Sequence, residues 1–426
     1  MDGSLANQGI PWRHDFVHNA RRYGLASLAV CLLTATLSCA SLGARASSRV
    51  AHAPDDPLRS RPLVAALLDT RAILGVYTLD LARDTARQVT VDREPGQYLG
   101  HPTTVLLEDG QTMLTVYPRG HGAGAIQLKR SADAGHSWGV RLPVPANWSS
   151  SKETPTIHRV IDARGTRRLI LFSGLYPIRM SVSADDGVTW SPLEPIGNFG
   201  GIVAMGSVER LANGDYMALF HDDGRFIANS GRKGTFVVYK TLSHDGGLHW
   251  DAPTPIASRT DIDLCEPGAL RSPDGRTIHV LLRENRRAQP SHVISSGDEG
   301  LTWSAPAPLS AALTGDRHVA TYLADGRVFV TFRDMARNSP TQGDWVAWIG
   351  EYASLFSASP RGYRVRLMDN TDSWDAAYPG LVRLSDGSVV TTTYGHWTAG
   401  APPWIASIRL HSDQLDRAFA AAGGTR

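Results

Sequence analysis

The chain is short of cysteine, of net charge and of long apolar runs. Only Cys31, Cys39 and Cys265 occur in 426 residues, with no CxxC pair and no zinc-type spacing. Lys plus Arg number 43 against 41 acidic residues, a net charge of +2. A dedicated nucleic-acid binder would carry a clustered basic excess, so that class is excluded. At 42% hydrophobic and 20% charged, with 41 Gly and 11 Trp, the chain is not disordered, collagen-like or a coiled coil. Neither a linker nor a second domain is evident. The balance of Gly and Trp points to many short strands and tight turns.

The first residues read as a targeting segment. Arg13, Arg21 and Arg22 precede a mostly apolar run from Leu25 to Leu42, and Ala44-Arg45-Ala46 follows. That order of charge, apolar core and small residues is a secretory signal peptide, cut after Ala46. The run barely reaches spanning length and is diluted by Ser27, Thr34, Thr36, Ser38 and Ser41, so no membrane span is expected. Thr36-Leu37-Ser38 before Cys39 is a weak lipobox, which makes lipoprotein anchoring the lesser alternative. The mature chain then keeps Cys265 alone, read as a small buried residue beside a strand. It can form no intrachain disulfide and must rely on its packed core. A periplasmic or secreted location is expected.

Two repeats organise the rest. Ser131-Ala132-Asp133-Ala134-Gly135-His136-Ser137-Trp138 returns from Ser183, Ser243 and Ser296, at intervals of 52, 60 and 53 residues. The shared frame is Ser-x-Asp-x-Gly-x-x-Trp, with Ser, Thr or His before the Trp. Its Asp can bond nearby amides, its Gly permits positive φ, and its Trp can pack between sheets. The second repeat is a series of turn pairs at Asp109-Gly110, Arg164-Gly165, Asn213-Gly214, Asp274-Gly275, Asp325-Gly326 and Asp386-Gly387. Five of the six are pairs that favour two-residue type I′ hairpins. Their intervals of 55, 49, 61, 51 and 61 residues imply six units of about four strands. The expected fold is all-β, a six-bladed propeller of four-stranded antiparallel blades. Residues 1–46 are the expected signal peptide and 47–62 a flexible segment. The propeller is expected over 63–415, with a frayed tail at 416–426. Strand material between Ile73 and Val91 is expected to complete a blade with Ile405 to Leu410.

The turn repeat also locates a site. Eight residues before each turn stand His101, Thr156, Met205, Glu266, Arg317 and Tyr378; eight to ten after it stand Arg119, Ser173, His221, Arg283, Arg333 and Tyr394. In a propeller both sets face the mouth of one central channel, where apolar residues would otherwise be expected. Convergent ionisable groups in one concave place are the signature of an active site. Glu153, Asp222, Asp223 and Arg225 add to them.

The four Ser-x-Asp-x-Gly-x-x-Trp copies are Asp boxes, and with the six-unit period the chain resembles the sialidase superfamily over nearly all of its mature length. The resemblance implies a propeller exo-glycosidase that removes a terminal carboxylated sugar, with a tyrosine nucleophile paired with a glutamate. Tyr378, in Ala377-Tyr378-Pro379-Gly380, and Glu266, in Cys265-Glu266-Pro267-Gly268, match that pair. Arg283 and Arg317 match two arginines of the family's carboxylate clamp, with Arg333 or Arg119 in support. Glu153, His221 and Tyr394 are further substrate-binding candidates. Two positions depart from the family. Gly100-His101-Pro102 stands where the first clamp arginine belongs, and no catalytic Asp precedes the first Asp box. His121, with His101 or Glu153 nearby, is the candidate for that proton-transfer role.

Two other readings remain open at this point. His101 and His121, 20 residues apart, with Tyr176 and Arg179, resemble the groups of a propeller lyase acting on uronate glycans. A non-catalytic propeller that binds a glycan is the third reading. His396-Trp397 can line a sugar subsite or pack a blade. No metal, no cofactor and no nucleic-acid partner is expected, and the chain is expected to act on a glycan as a monomer.

Overall fold

In a computed structural model, residues 56–227, 233–372 and 374–425 are described. The signal-peptide reading and most of the 47–62 segment lie outside the described residues. Six sheets follow one another along the chain, antiparallel but for one parallel pairing on the fifth. Their innermost strands begin at Thr103, Pro155, Ile202, Leu264, Gly315 and Gly380. Each contacts the next, and the last contacts the first, which closes a six-bladed propeller. The core is accordingly divided among the seams between blades. Phe172, Met205, Phe220 and Trp250, for example, fill the seam between blades two and three. Burying each such side chain contributes about 1.5–3 kcal/mol.

The turn pairs join the first two strands of every blade, but they are not type I′ hairpins. Asp109, Asn213, Asp274, Asp325 and Asp386 keep negative φ, while the glycine after each has φ between 70° and 94°. Type I′ needs positive φ at both central residues. The loops have three or four residues: Asp162 N–H donates to Thr166 O (3.0 Å) while Gly165 N–H donates back to Asp162 O (2.9 Å). That is a type I turn ended by a left-handed glycine.

All four Asp boxes close the same way. In the first, Asp133 accepts from Ser131 Oγ (2.8 Å), Ser137 N (2.9 Å) and Ser137 Oγ (2.6 Å). Asp185, Asp245 and Asp298 repeat these bonds. The box Trp donates to its own Gly carbonyl in three copies, whereas Trp138 reaches Ser407 Oγ of blade six (3.0 Å). Asp133→Ala is expected to lower stability by about 1 kcal/mol in urea unfolding, the cost of a lost side-chain cap on backbone amides.

Three blades depart from the plain pattern. Blade one holds three strands, and its fourth position shrinks to one bridge between Lys129 and Arg141. Pro143 and Pro145 follow directly and cannot donate to a ladder. The Ile73–Val91 stretch divides between two blades. Thr78–Asp80 runs parallel to Gly362–Met368 on blade five, and Val89–Asp92 closes blade six against Trp404–Leu410. The C-terminus is no frayed tail from 416. Ser412–Ala421 is a helix with Leu415 and Phe419 buried at i, i+4, and Phe419 stacks on Tyr363 at 4.2 Å.

Candidate active site

Backbone geometry explains how the strand entries present their side chains. His101, Val203, Glu266, Arg317 and Ala377 have φ of 54°, 50°, 52°, 53° and 58°, a conformation that costs a non-glycine residue roughly 1–2 kcal/mol. In blades three, four and five the pairing register slips at the same place, between Ile202 and Ser207, Cys265 and Gly268, and Asp316 and Val319. These are β-bulges, which turn a side chain out of the sheet face and toward the strand end. Close packing supports them: a Cβ at Gly268 would lie 2.1 Å from His318 O.

Blades four and six bring Glu266 and Tyr378 into direct contact. The Tyr378 hydroxyl donates to Glu266 Oε1. Arg283 Nη1 donates to both, at 2.8 Å to Tyr378 Oη and 2.5 Å to Glu266 Oε1. Tyr378 is 8% and Glu266 4% exposed. Burial, then the Glu266 charge, push the phenol well above its ordinary range, against the pull of Arg283 and Arg333. The phenol is therefore protonated near neutrality and can only pass its proton to the carboxylate it already touches. Glu266 Oε2 is buried with no hydrogen-bond partner among the described residues. His221 accepts from Glu266 N–H through Nδ1 (3.4 Å), which places its proton on Nε2. Burial drives this imidazole down to about 4, so it is neutral.

The arginines divide into two kinds. Asp316, fully buried, accepts from Arg333 Nε (2.8 Å) and Arg287 Nη2 (2.8 Å), and it pairs with Arg283 Nε at 3.2 Å. Burial raises this carboxyl, yet Arg333, Arg283 and Arg287 outweigh it and hold the group well below its usual range. Arg333 also donates to Ala376 O (3.1 Å), with its guanidinium 5.2 Å from the Tyr378 ring and 5.4 Å from Trp374. It therefore braces the nucleophile loop. Arg317 is the less compensated cation. It spans from blade five to Gly206 O on blade three (2.9 Å). Burial lowers its pKa despite Glu266, Tyr378 and Glu153.

The histidines gather around a residue that sequence reading missed. His101 stacks on Tyr394 (4.5 Å between centroids) and meets His121 (4.8 Å) and Tyr378 (4.7 Å) edge-on. Asp375, three residues before Tyr378, accepts from Tyr394 and Tyr98 (2.9 Å each) and pairs with His121 at 3.3 Å. Counting from turns finds strand ends, and Asp375 sits in a loop. Asp316 escaped because regular alternation would send the neighbour of Arg317 to the opposite face. The nearest available signals were the adjacency of Asp316 to Arg317 and of Asp375 to Tyr378.

Other candidates lie elsewhere or serve their own loops. Arg119 pairs with Glu94 (2.6 Å) and is part exposed. Tyr176 donates to Asn198, and Arg179 to Ser150, so neither joins the two histidines. Asp222 accepts backbone amides of its own loop, and Asp223 pairs with Arg225. Trp397 packs against Trp345 and donates to Trp404 O (3.0 Å), while His396 faces Asp375 at 3.4 Å. Cys265 is buried, and burial pushes its thiol well up, away from nucleophile chemistry.

Glu153 accepts from Val203 N–H, and burial, with Glu266 adding, raises it to about 7. The folded protein thus binds a proton here that the unfolded chain releases near its ordinary value. That stabilisation is complete below about 4.5 and fades as pH rises through 7. Glu153→Gln should therefore flatten the loss of melting temperature between pH 5 and pH 8 relative to the parent protein.

Six closed blades, four Asp boxes and a polar cluster at the strand entries define an Asp-box propeller. A model of the BNR repeat-like domain matches residues 172–391, and the chain belongs to that family. No curated protein matches it in sequence. Its fold is that of sialidase-like propeller glycosidases. Similar solved structures include a Dyadobacter fermentans protein of unknown function, at 17% identity and TM-score 0.61, covering 76% of this chain and 98% of that one. An α-L-arabinofuranosidase of Fusarium graminearum, in complex with arabinobiose, has 12% identity, TM-score 0.53 and coverages of 77% and 98%. The NanB sialidase of Streptococcus pneumoniae, as a point mutant, has 12% identity, TM-score 0.53 and coverages of 78% and 71%. Likeness at these identities establishes the fold. Among the described residues, no helix is long and apolar enough to cross a membrane.

Proposed function

We propose that this protein is an exo-glycosidase that hydrolyses a terminal acidic sugar from a glycan through a covalent intermediate on Tyr378. The observation that carries the reading is the mutual contact of the Tyr378 hydroxyl, the Glu266 carboxylate and the Arg283 guanidinium at the channel mouth. A sugar carboxylate repels an anionic nucleophile; a neutral phenol that loses its proton only during attack avoids that repulsion. Tyr378 Oη would bond to the anomeric carbon as its proton passes to Glu266. The leaving oxygen takes a proton from His121. Water then cleaves the adduct, giving one proton back to His121, while the departing phenolate recovers its own from Glu266.

Arg317, buried and under-compensated, supports a carboxylated rather than a neutral sugar. Arg283 and Arg333 are tied to Asp316 and act mainly by shaping the nucleophile. We further propose that the mature chain is exported and acts as a monomer. The test is trapping: a fluorinated ulosonic or uronic acid donor, which forms the adduct faster than it hydrolyses, should leave one sugar on the peptide containing Tyr378. Screening aryl glycosides of sialic, related ulosonic and uronic acids names the sugar. A label on another residue, or turnover of neutral sugars alone, overturns the reading.

A further inference from the structure

We propose that Asp375, a positioning residue in the loop that enters blade six, orients His121 of blade one as the proton donor to the leaving group. The inference rests on the glycosidase reading above and settles which of the two histidines carries the proton.

Proton counting around the cluster decides it. Tyr394 has one hydroxyl proton, and it points to Asp375 Oδ1 (2.9 Å). The contact between Tyr394 Oη and His101 Nε2 (3.2 Å) must then use a proton on Nε2. His101 Nδ1 meanwhile accepts from Gly122 N–H (3.2 Å). Both ring nitrogens of His101 are committed, and burial, with His121 adding, keeps it neutral. Its work is to hold the His121–Gly122 loop in place.

The same count gives His121 the opposite character. Tyr98 donates its proton to Asp375 (2.9 Å), so its 2.7 Å contact with His121 Nδ1 requires Nδ1 to be the donor. Nδ1 also lies 3.3 Å from Asp375 Oδ1. The neutral ring therefore keeps its lone pair on Nε2, and the charged ring carries its transferable proton there. Among the described residues Nε2 has no hydrogen-bond partner, and the side chain is 59% exposed. Burial would raise Asp375, but the bonds from His121, Tyr98 and Tyr394 hold it well below the usual carboxylate range. It stays anionic and cannot itself be the acid. The groups packed on His121 are Tyr98, His101 and Asp375. Tyr394 and His396 share Asp375, and Arg333 acts on Tyr98 from outside.

Leaving-group dependence tests the role. His121→Ala should cut turnover of a sugar-alcohol glycoside on the order of 10²-fold or more, and an activated aryl glycoside far less. Asp375→Asn should show the same selectivity at about 10-fold, with Asp375→Glu recovering part of the loss. Equal losses on both substrates, or none, overturn the proposal. A second measurement needs no turnover. The hydrogen-bonded Nδ1–H resonance that disappears in His121→Ala should move upfield in Asp375→Asn, where the anionic acceptor is gone. An unmoved resonance also overturns it. If the parent cleaves no glycoside, the glycosidase reading fails, and the Nδ1–H resonance still judges the Asp375–His121 pairing.

Discussion

Tyr378→Phe is expected to lower kcat on an acidic aryl glycoside by on the order of 10³-fold or more while leaving the fold intact. The substitution removes one oxygen and keeps the ring, so the 4.7 Å contact with His101 and the 5.2 Å approach of Arg333 persist. Arg283 Nη1 remains on Glu266 Oε1 at 2.5 Å, and the carboxylate is not stranded. KM should change little, because the hydroxyl works by bond formation rather than by ground-state binding. Melting temperature and kinetics measured together separate the readings. A binding propeller would keep its glycan and have no activity to lose. An eliminating enzyme would release a product with an unsaturated uronate absorbing in the ultraviolet, and hydrolysis does not. Retention of more than about a tenth of the parental rate would remove Tyr378 from the chemistry.

Asp316→Ala is expected to have the largest effect on stability. One buried carboxylate faces three guanidiniums, and Arg333 is itself 2% exposed. Removing the anion strands buried cations, which typically costs about 3–5 kcal/mol. A drop in melting temperature of about 5 °C follows. Activity should fall with it, since Arg283 would lose the partner on its far side from Glu266. Combining Asp316→Ala with Arg333→Met should recover part of the stability but not the activity, because the second change removes one stranded charge. A melting temperature within about 2 °C of the parent would show that the cluster is not an energetic keystone.

Much of this arrangement was legible because the stretch from strand entry to glycine turn is nearly constant, with the left-handed residues His101, Glu266 and Arg317 each eight positions before their turn pair. A fixed count from a glycine turn therefore lands near the mouth in every blade, as it does for His101, Glu266, Arg317 and Tyr378. The Asp boxes were legible because a carboxylate that bonds a backbone amide four residues on needs the same spacing each time. Side-chain partnerships across blades were not. Arg119 is drawn to Glu94, which lies outside both repeats, and nothing in a linear count marks Asp375 as the neighbour of His121, 254 positions away. Trp397 faces inward because Trp345 and the Trp404 carbonyl are there to receive it. The division of residues 73–91 between two blades was hidden because one short apolar stretch looks alike in parallel and antiparallel company.

The pairing of Val89–Asp92 with Trp404–Leu410 has a kinetic consequence. Asp92 and Ile405 stand 313 positions apart along the chain, so the clasp cannot fasten until synthesis is almost complete. Blades one to four can assemble in order from neighbouring segments, while blades five and six each take an outer strand from the N-terminal side of the propeller. Folding should therefore finish with slow, long-range pairing. A protein shortened before residue 404 should keep most of its sheet content yet remain open at one seam and prone to self-association.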